Sequence, residues 1–127
     1  MNTLKILLII GSGGFIGTIA RYLLSRWITE ISGPTFPMAT LIVNLLGSLL
    51  IGLFYGLSER GSLLSTEWRL FLTVGLCGGF TTFSTFATEN LLLLRDNELF
   101  YFALYAGLSL FLSLVAVFLG VSITKLI

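Results

Sequence analysis

Long apolar runs separated by short polar breaks organise the chain. The first run covers about Leu4 to Trp27 and the second about Met38 to Leu57. A third covers about Trp68 to Leu94 and a fourth about Leu99 to Leu126. Each matches the roughly 20 apolar residues that a helix needs to cross a bilayer. The breaks are Ser32-Gly33-Pro34 with Pro37, then Ser58-Glu59-Arg60-Gly61-Ser62, then Arg95-Asp96-Asn97-Glu98. Pro37 suits a first helical turn, and Ser65-Thr66-Glu67 supplies a cap followed by an acid. Breaks this short make consecutive helices antiparallel neighbours. The pattern therefore predicts an all-α membrane protein, with one transmembrane domain over residues 1–127 and no extramembrane domain. The first run lacks a small-x-small cleavage site after its apolar core, and Arg21 and Arg26 follow directly. It reads as a retained helix rather than a signal peptide.

Composition removes most other classes. The chain of 127 residues is 56% hydrophobic and 10% charged, with mean hydropathy +1.03. Soluble domains carry about a quarter charged residues, so a water-facing globule is excluded. Seven Lys/Arg against six Asp/Glu leave a net charge of +1, too little for a nucleic-acid-binding face. There is no histidine, which removes His-based acid/base or metal chemistry. The single cysteine, Cys77, can form no intrachain disulfide and reads as a small packing residue. No nucleophile has a paired base at readable spacing, so an enzyme is not expected. The termini and the second connection carry Lys5, Arg60, Arg69 and Lys125, and the opposite side carries Arg26 and Arg95, with Arg21 if it reaches that surface. So even a split hardly biases insertion under the positive-inside rule. It is the pattern of a chain that inserts both ways round.

Polar residues inside the runs are expensive in lipid and so carry the functional information. Gly11-Ser12-Gly13-Gly14-Phe15-Ile16-Gly17 fails the dinucleotide pattern, because position 16 is isoleucine and no strand precedes it. Gly13 and Gly17 instead form a small-xxx-small pair for close helix packing, as do Gly47, Ser48 and Gly52 on the second helix. In the third run, Gly78-Gly79 followed by Phe80-Thr81-Thr82-Phe83-Ser84-Thr85-Phe86 is a poor helix interior. It predicts either a break that frees backbone carbonyls or an intact helix whose hydroxyls bond back one turn. In the fourth run, Tyr105, Ser109 and Ser113 stand four residues apart, a ladder of hydroxyls about 12 Å long. It is either a polar track or a helix–helix seam. Asn44, with Thr40 one turn earlier, is helix glue or an amide donor to a passing anion. The first, second and fourth runs hold no carboxylate, and Glu89 is the only acid well inside any run. Hydroxyls, an amide and an arginine are a donor set matched to a small anion, and Phe83 and Phe86, three apart on one face, are either lipid- or core-facing bulk or electropositive rims that meet an anion edge-on.

These motifs resemble the CrcB/Fluc family of fluoride channels. The resemblance rests on Gly14-Phe15-Ile16-Gly17 leading to Ala20-Arg21-Tyr22, on Thr40-Leu41-Ile42-Val43-Asn44-Leu45-Leu46-Gly47, and on Gly78 to Phe86. The Tyr105/Ser109/Ser113 ladder also fits, and the likeness covers essentially the whole chain. It implies four transmembrane helices with a broken third helix, in an antiparallel, dual-topology homodimer with two pores at its interface. It implies passive, selective export of fluoride across the cell inner membrane. Phe83 and Phe86 would be the ring edges on the ion path and Asn44 a donor beside them. Thr40, Tyr105, Ser109 and Ser113 would add hydroxyls, and Arg21 would sit at the vestibule. A structural sodium ion would be held by the backbone carbonyls of Gly78 and Thr81 from each subunit. The rivals are a four-helix multidrug or metabolite exporter, which needs a central acid on the first helix, and a non-conducting, holin-like assembly.

Overall fold

Thr3–Ser32 forms one unbroken helix, α1. The Asn2 side chain caps its start by accepting from the Lys5 amide at 2.8 Å. The computed structural model describes residues 2–61 and 63–127; Met1 and Ser62, the last residue of the second polar break, lie outside it. The first helix runs past Trp27 because nothing stops it before Gly33, which takes a positive φ of 79° ahead of Pro34. Ile28 is buried, and Arg26 and Glu30 pair one turn apart on the outside. Arg21 consequently lies well inside α1 and not near its end.

The second helix, α2 (Met38–Glu59), begins directly after Pro37, and the fourth crossing, α6 (Leu99–Thr124), is continuous. The third crossing, Thr66–Arg95, is divided. It starts as α3 (Thr66–Arg69), capped by Ser65, and passes through a π-helical stretch at Leu70–Cys77. A short turn, α4 (Gly78–Phe80), ends in extended backbone at Thr81 and Thr82, and α5 (Phe83–Arg95) resumes the helix. All four crossings are long and apolar enough to span a membrane, and no strand occurs among the described residues. This is a multi-pass membrane protein with a broken third helix.

Two close approaches fix the bundle. A Cβ on Gly13 would stand 2.6 Å from the Phe71 carbonyl oxygen, and one on Gly17 would meet the Leu76 carbonyl. Only glycine lets α1 lie this close to the π-helical stretch. On the other side α2 packs most extensively against α6, with Gly52 facing Val117 and Gly120, and Gly56 facing Thr124. Leu41, Phe86, Leu93 and Tyr105 form the buried apolar cluster between α2, α5 and α6. Beyond these seams the surface is apolar, as lipid or a second copy requires: Phe83 is 73% exposed and Phe118 is 74% exposed.

Candidate functional site

The break at Thr81–Thr82 leaves backbone groups without helical partners inside the membrane, where water cannot satisfy them. Side chains from α1, α2 and the break itself take up several of them. The Thr81 amide and the Thr81 hydroxyl both donate to the Cys77 carbonyl at 3.0 Å. The Thr82 side chain caps α5 by accepting from the Thr85 amide at 3.2 Å. Asn44 on α2 clasps the backbone of Thr82 with both ends of its amide: its Nδ2 donates to the Thr82 carbonyl at 2.9 Å, and its Oδ1 accepts from the Thr82 amide at 2.8 Å. Arg21 reaches across from α1, and its Nε donates to the Gly79 carbonyl at 3.1 Å.

These bonds leave the carbonyls of Gly78, Phe80 and Thr81 with no donor among the described residues. Neutral oxygens freed at membrane depth suit a hard cation that prefers oxygen ligands, and Gly78 and Thr81 are the pair expected from the sequence. Among the described residues no group of three His, Cys, Asp or Glu side chains could hold a metal ion. A cation at this place would therefore rest on backbone oxygens.

Beside the break lies a cavity of about 460 Å³ between α2, the third crossing and α6. Asn44, Phe83, Phe86, Ser109 and Ser113 all line it, and no charged side chain does. With Gly78 and Thr81, which also line it, seven of the candidate site residues picked out in the sequence are thus brought to one cavity. Ser109 is 6% exposed, yet its hydroxyl has no hydrogen-bond partner among the described residues. A buried, unspent donor of this kind costs about 1–3 kcal/mol unless something accepts from it. The Phe83 and Phe86 rings stand 5.5 Å apart at 47°, Phe83 exposed and Phe86 buried.

Tyr105, the top of the hydroxyl ladder, lies behind Phe86 with the ring centres 5.1 Å apart and is fully buried. Its hydroxyl donates to the Glu89 carboxylate at 2.8 Å, and Thr40 lies beside the same hydroxyl. Glu89 in turn borders a second cavity of about 430 Å³ at the end of the bundle, together with Asp96 and Glu98. The ring of Phe86 and the Tyr105–Glu89 bond thus separate an acidic mouth from an uncharged interior. Arg21 lines neither cavity; it stands behind the break. The sequence reading missed Glu89 as the partner of Tyr105, because the two are brought together only when α5 and α6 pack. It also missed Ser48 and Thr73 on the cavity wall.

Residues 8–121 match the family described as CrcB-like protein, Camphor Resistance (CrcB), a stretch that includes every candidate residue above. The chain belongs to the CrcB-like family. It is similar to a fluoride-specific ion channel FluC of Chlorobium chlorochromatii, with 50% identity over 91% of this chain and 88% of that protein. A fluoride-specific ion channel FluC of Chlorobaculum tepidum is 49% identical over 97% of both chains. One of Flavobacterium psychrophilum is 43% identical over 96% of this chain and 98% of its own length. In CrcB-like terms the break, the donor-lined cavity and the ladder are therefore held by a chain of nearly the same length as these relatives.

Proposed function

We propose that this chain is a fluoride-selective channel that lets fluoride leave the cytoplasm passively across the inner membrane. Relatives named fluoride-specific ion channel FluC match it over 91–97% of its length, which supports the reading. The observation that carries the reading physically is the unpartnered Ser109 hydroxyl in a cavity with no charged lining. Fluoride is small and holds its water tightly, so a path for it must replace that water with closely placed donors. Ser109, Ser113 and the second N–H of Asn44 are such donors, and the rims of Phe83 and Phe86 add weak attraction. Each contact is modest, which lets the ion leave again. Arg21, one helix behind the break, contributes positive potential without binding the ion. An exporter of cationic drugs needs an acid in its binding site, and none lines this cavity.

The working unit is an antiparallel homodimer of dual topology with two pores along its interface. The near-even basic split and the 73% exposure of Phe83 beside the buried Phe86 support that arrangement. A structural sodium ion at the dimer centre would take the Gly78 and Thr81 carbonyls of both subunits. Bound there it would tie the two broken helices together by charge and take no part in moving fluoride. Fluoride efflux from liposomes loaded with fluoride and carrying the purified protein tests the function. Efflux of fluoride but not chloride is expected, and equal passage of the two ions counts against it.

A further inference from the structure

Ser48 reads from the sequence as one of the small residues that let α2 pack closely, yet it borders the cavity. Its place follows from how α2 and α6 lie together. Both run from the mouth formed by the first and third connections toward the opposite surface, so they are parallel. Thr40 lies beside Tyr105 near the start of the pair, and Gly52 faces the Val117 backbone further along. These two contacts share one sequence offset, and Gly52 also meets Gly120 and Gly56 meets Thr124 within one helical turn of it. The same offset sets Asn44 level with Ser109 and Ser48 level with Ser113, and all four line the cavity. The ladder on α6 is therefore matched rung for rung by Thr40, Asn44 and Ser48 on α2, each one helical turn, about 6 Å, from the next.

The hydroxyl of Ser48 is also free to act. Serine inside a membrane helix ordinarily bonds back to the preceding turn, as Ser32 does to Ile28 and Ser58 to Phe54. Ser48 and Ser113 make no such bond among the described residues, and neither does Ser109. Close packing of α2 is instead supplied by Gly47 against Thr81 and by Gly52 and Gly56 against α6.

We propose that Ser48 is a further donor on the anion path, forming with Ser113 the rung beyond Asn44 and Ser109. It extends the path along α2 past the helix break, so that an ion leaving the phenylalanine rims meets hydroxyls on two walls and not on one. The inference rests on the fluoride-channel reading and deepens it.

The test compares Ser48→Ala, Ser48→Thr and Ser109→Ala as purified full-length protein in liposomes. Loss of one donor should slow fluoride efflux by roughly three- to tenfold in Ser48→Ala. Ser48→Thr should restore it, while the dimer fraction and thermal unfolding stay unchanged. Normal efflux in Ser48→Ala with slowed efflux in Ser109→Ala overturns the assignment of Ser48 and leaves the channel reading intact. Normal efflux in both removes the donor path itself. A fall in dimer fraction that parallels the fall in efflux returns Ser48 to packing. As a second measurement, Ser48→Cys in a Cys77→Ala background should be modified by a small methanethiosulfonate reagent, with loss of efflux relative to that background. An unreactive thiol overturns the proposal.

Discussion

Replacing Asn44 with alanine should loosen the third-helix break more than it alters any other part of the protein. The amide makes two bonds to the backbone of one residue, at 2.9 and 2.8 Å, and both partners lie within the membrane. Removing it strands the Thr82 carbonyl and the Thr82 amide together. Each stranded buried group costs about 1–3 kcal/mol, giving roughly 2–6 kcal/mol for the pair. Hydrogen bonds measured between membrane helices average nearer ~0.6 kcal/mol, which sets a lower bound of roughly 1 kcal/mol. Even the lower bound is about a fivefold change in the population of the opened break. Hydrogen exchange read by mass spectrometry on peptides spanning residues 78–86 should show faster exchange in Asn44→Ala, while peptides from α1 exchange as before. Asn44→Asp keeps the acceptor for the Thr82 amide but loses the donor to its carbonyl, and should fall between the two. Unchanged exchange in Asn44→Ala would refute the clasp and leave Asn44 as a donor to the ion alone.

The remaining expectations are independent of that clasp. Gly17→Ala places a methyl against the Leu76 carbonyl and should lower stability by about 1–3 kcal/mol. Gly11→Ala on the same helix meets nothing within 4 Å and should raise it by roughly 0.5–1 kcal/mol; thermal unfolding in detergent reads both, and equal effects contradict the close approach. Tyr105→Phe removes the bond to Glu89 and should slow fluoride efflux while circular dichroism stays unchanged; unaltered efflux excludes a role for that bond in permeation. Exchanging sodium for a large organic cation throughout purification should lower the dimer fraction in size-exclusion chromatography with light scattering, and an unchanged fraction argues against a cation on Gly78 and Thr81.

Four crossings were legible because hydropathy is a property of each segment by itself. The weak helix at Gly78–Thr82 was legible too, since adjacent glycines and hydroxyls disfavour a helix locally. What the sequence leaves open depends on partners. The π winding of Leu70–Cys77 has no signature in an apolar run that could wind either way, and it occurs where α1 lies against the run. The first run reads as ending near Trp27, which puts Arg21 within two turns of a helix end, whereas Gly33 is the residue that stops α1. The spacing of Asn44 and Ser48 was visible, but nothing local aligns α2 with α6, so Ser48 passed for packing. Glu89 was recognised as the only acid deep in a crossing; its bond to Tyr105 appears only once two helices meet.

The most direct test of the account is anion selectivity in reconstituted liposomes, with wild type and Ser109→Ala measured side by side. A chain that works through the donor-lined cavity releases fluoride, retains chloride, and releases fluoride more slowly when the Ser109 hydroxyl is gone. Chloride passage equal to fluoride, or fluoride release indifferent to Ser109→Ala, contradicts it.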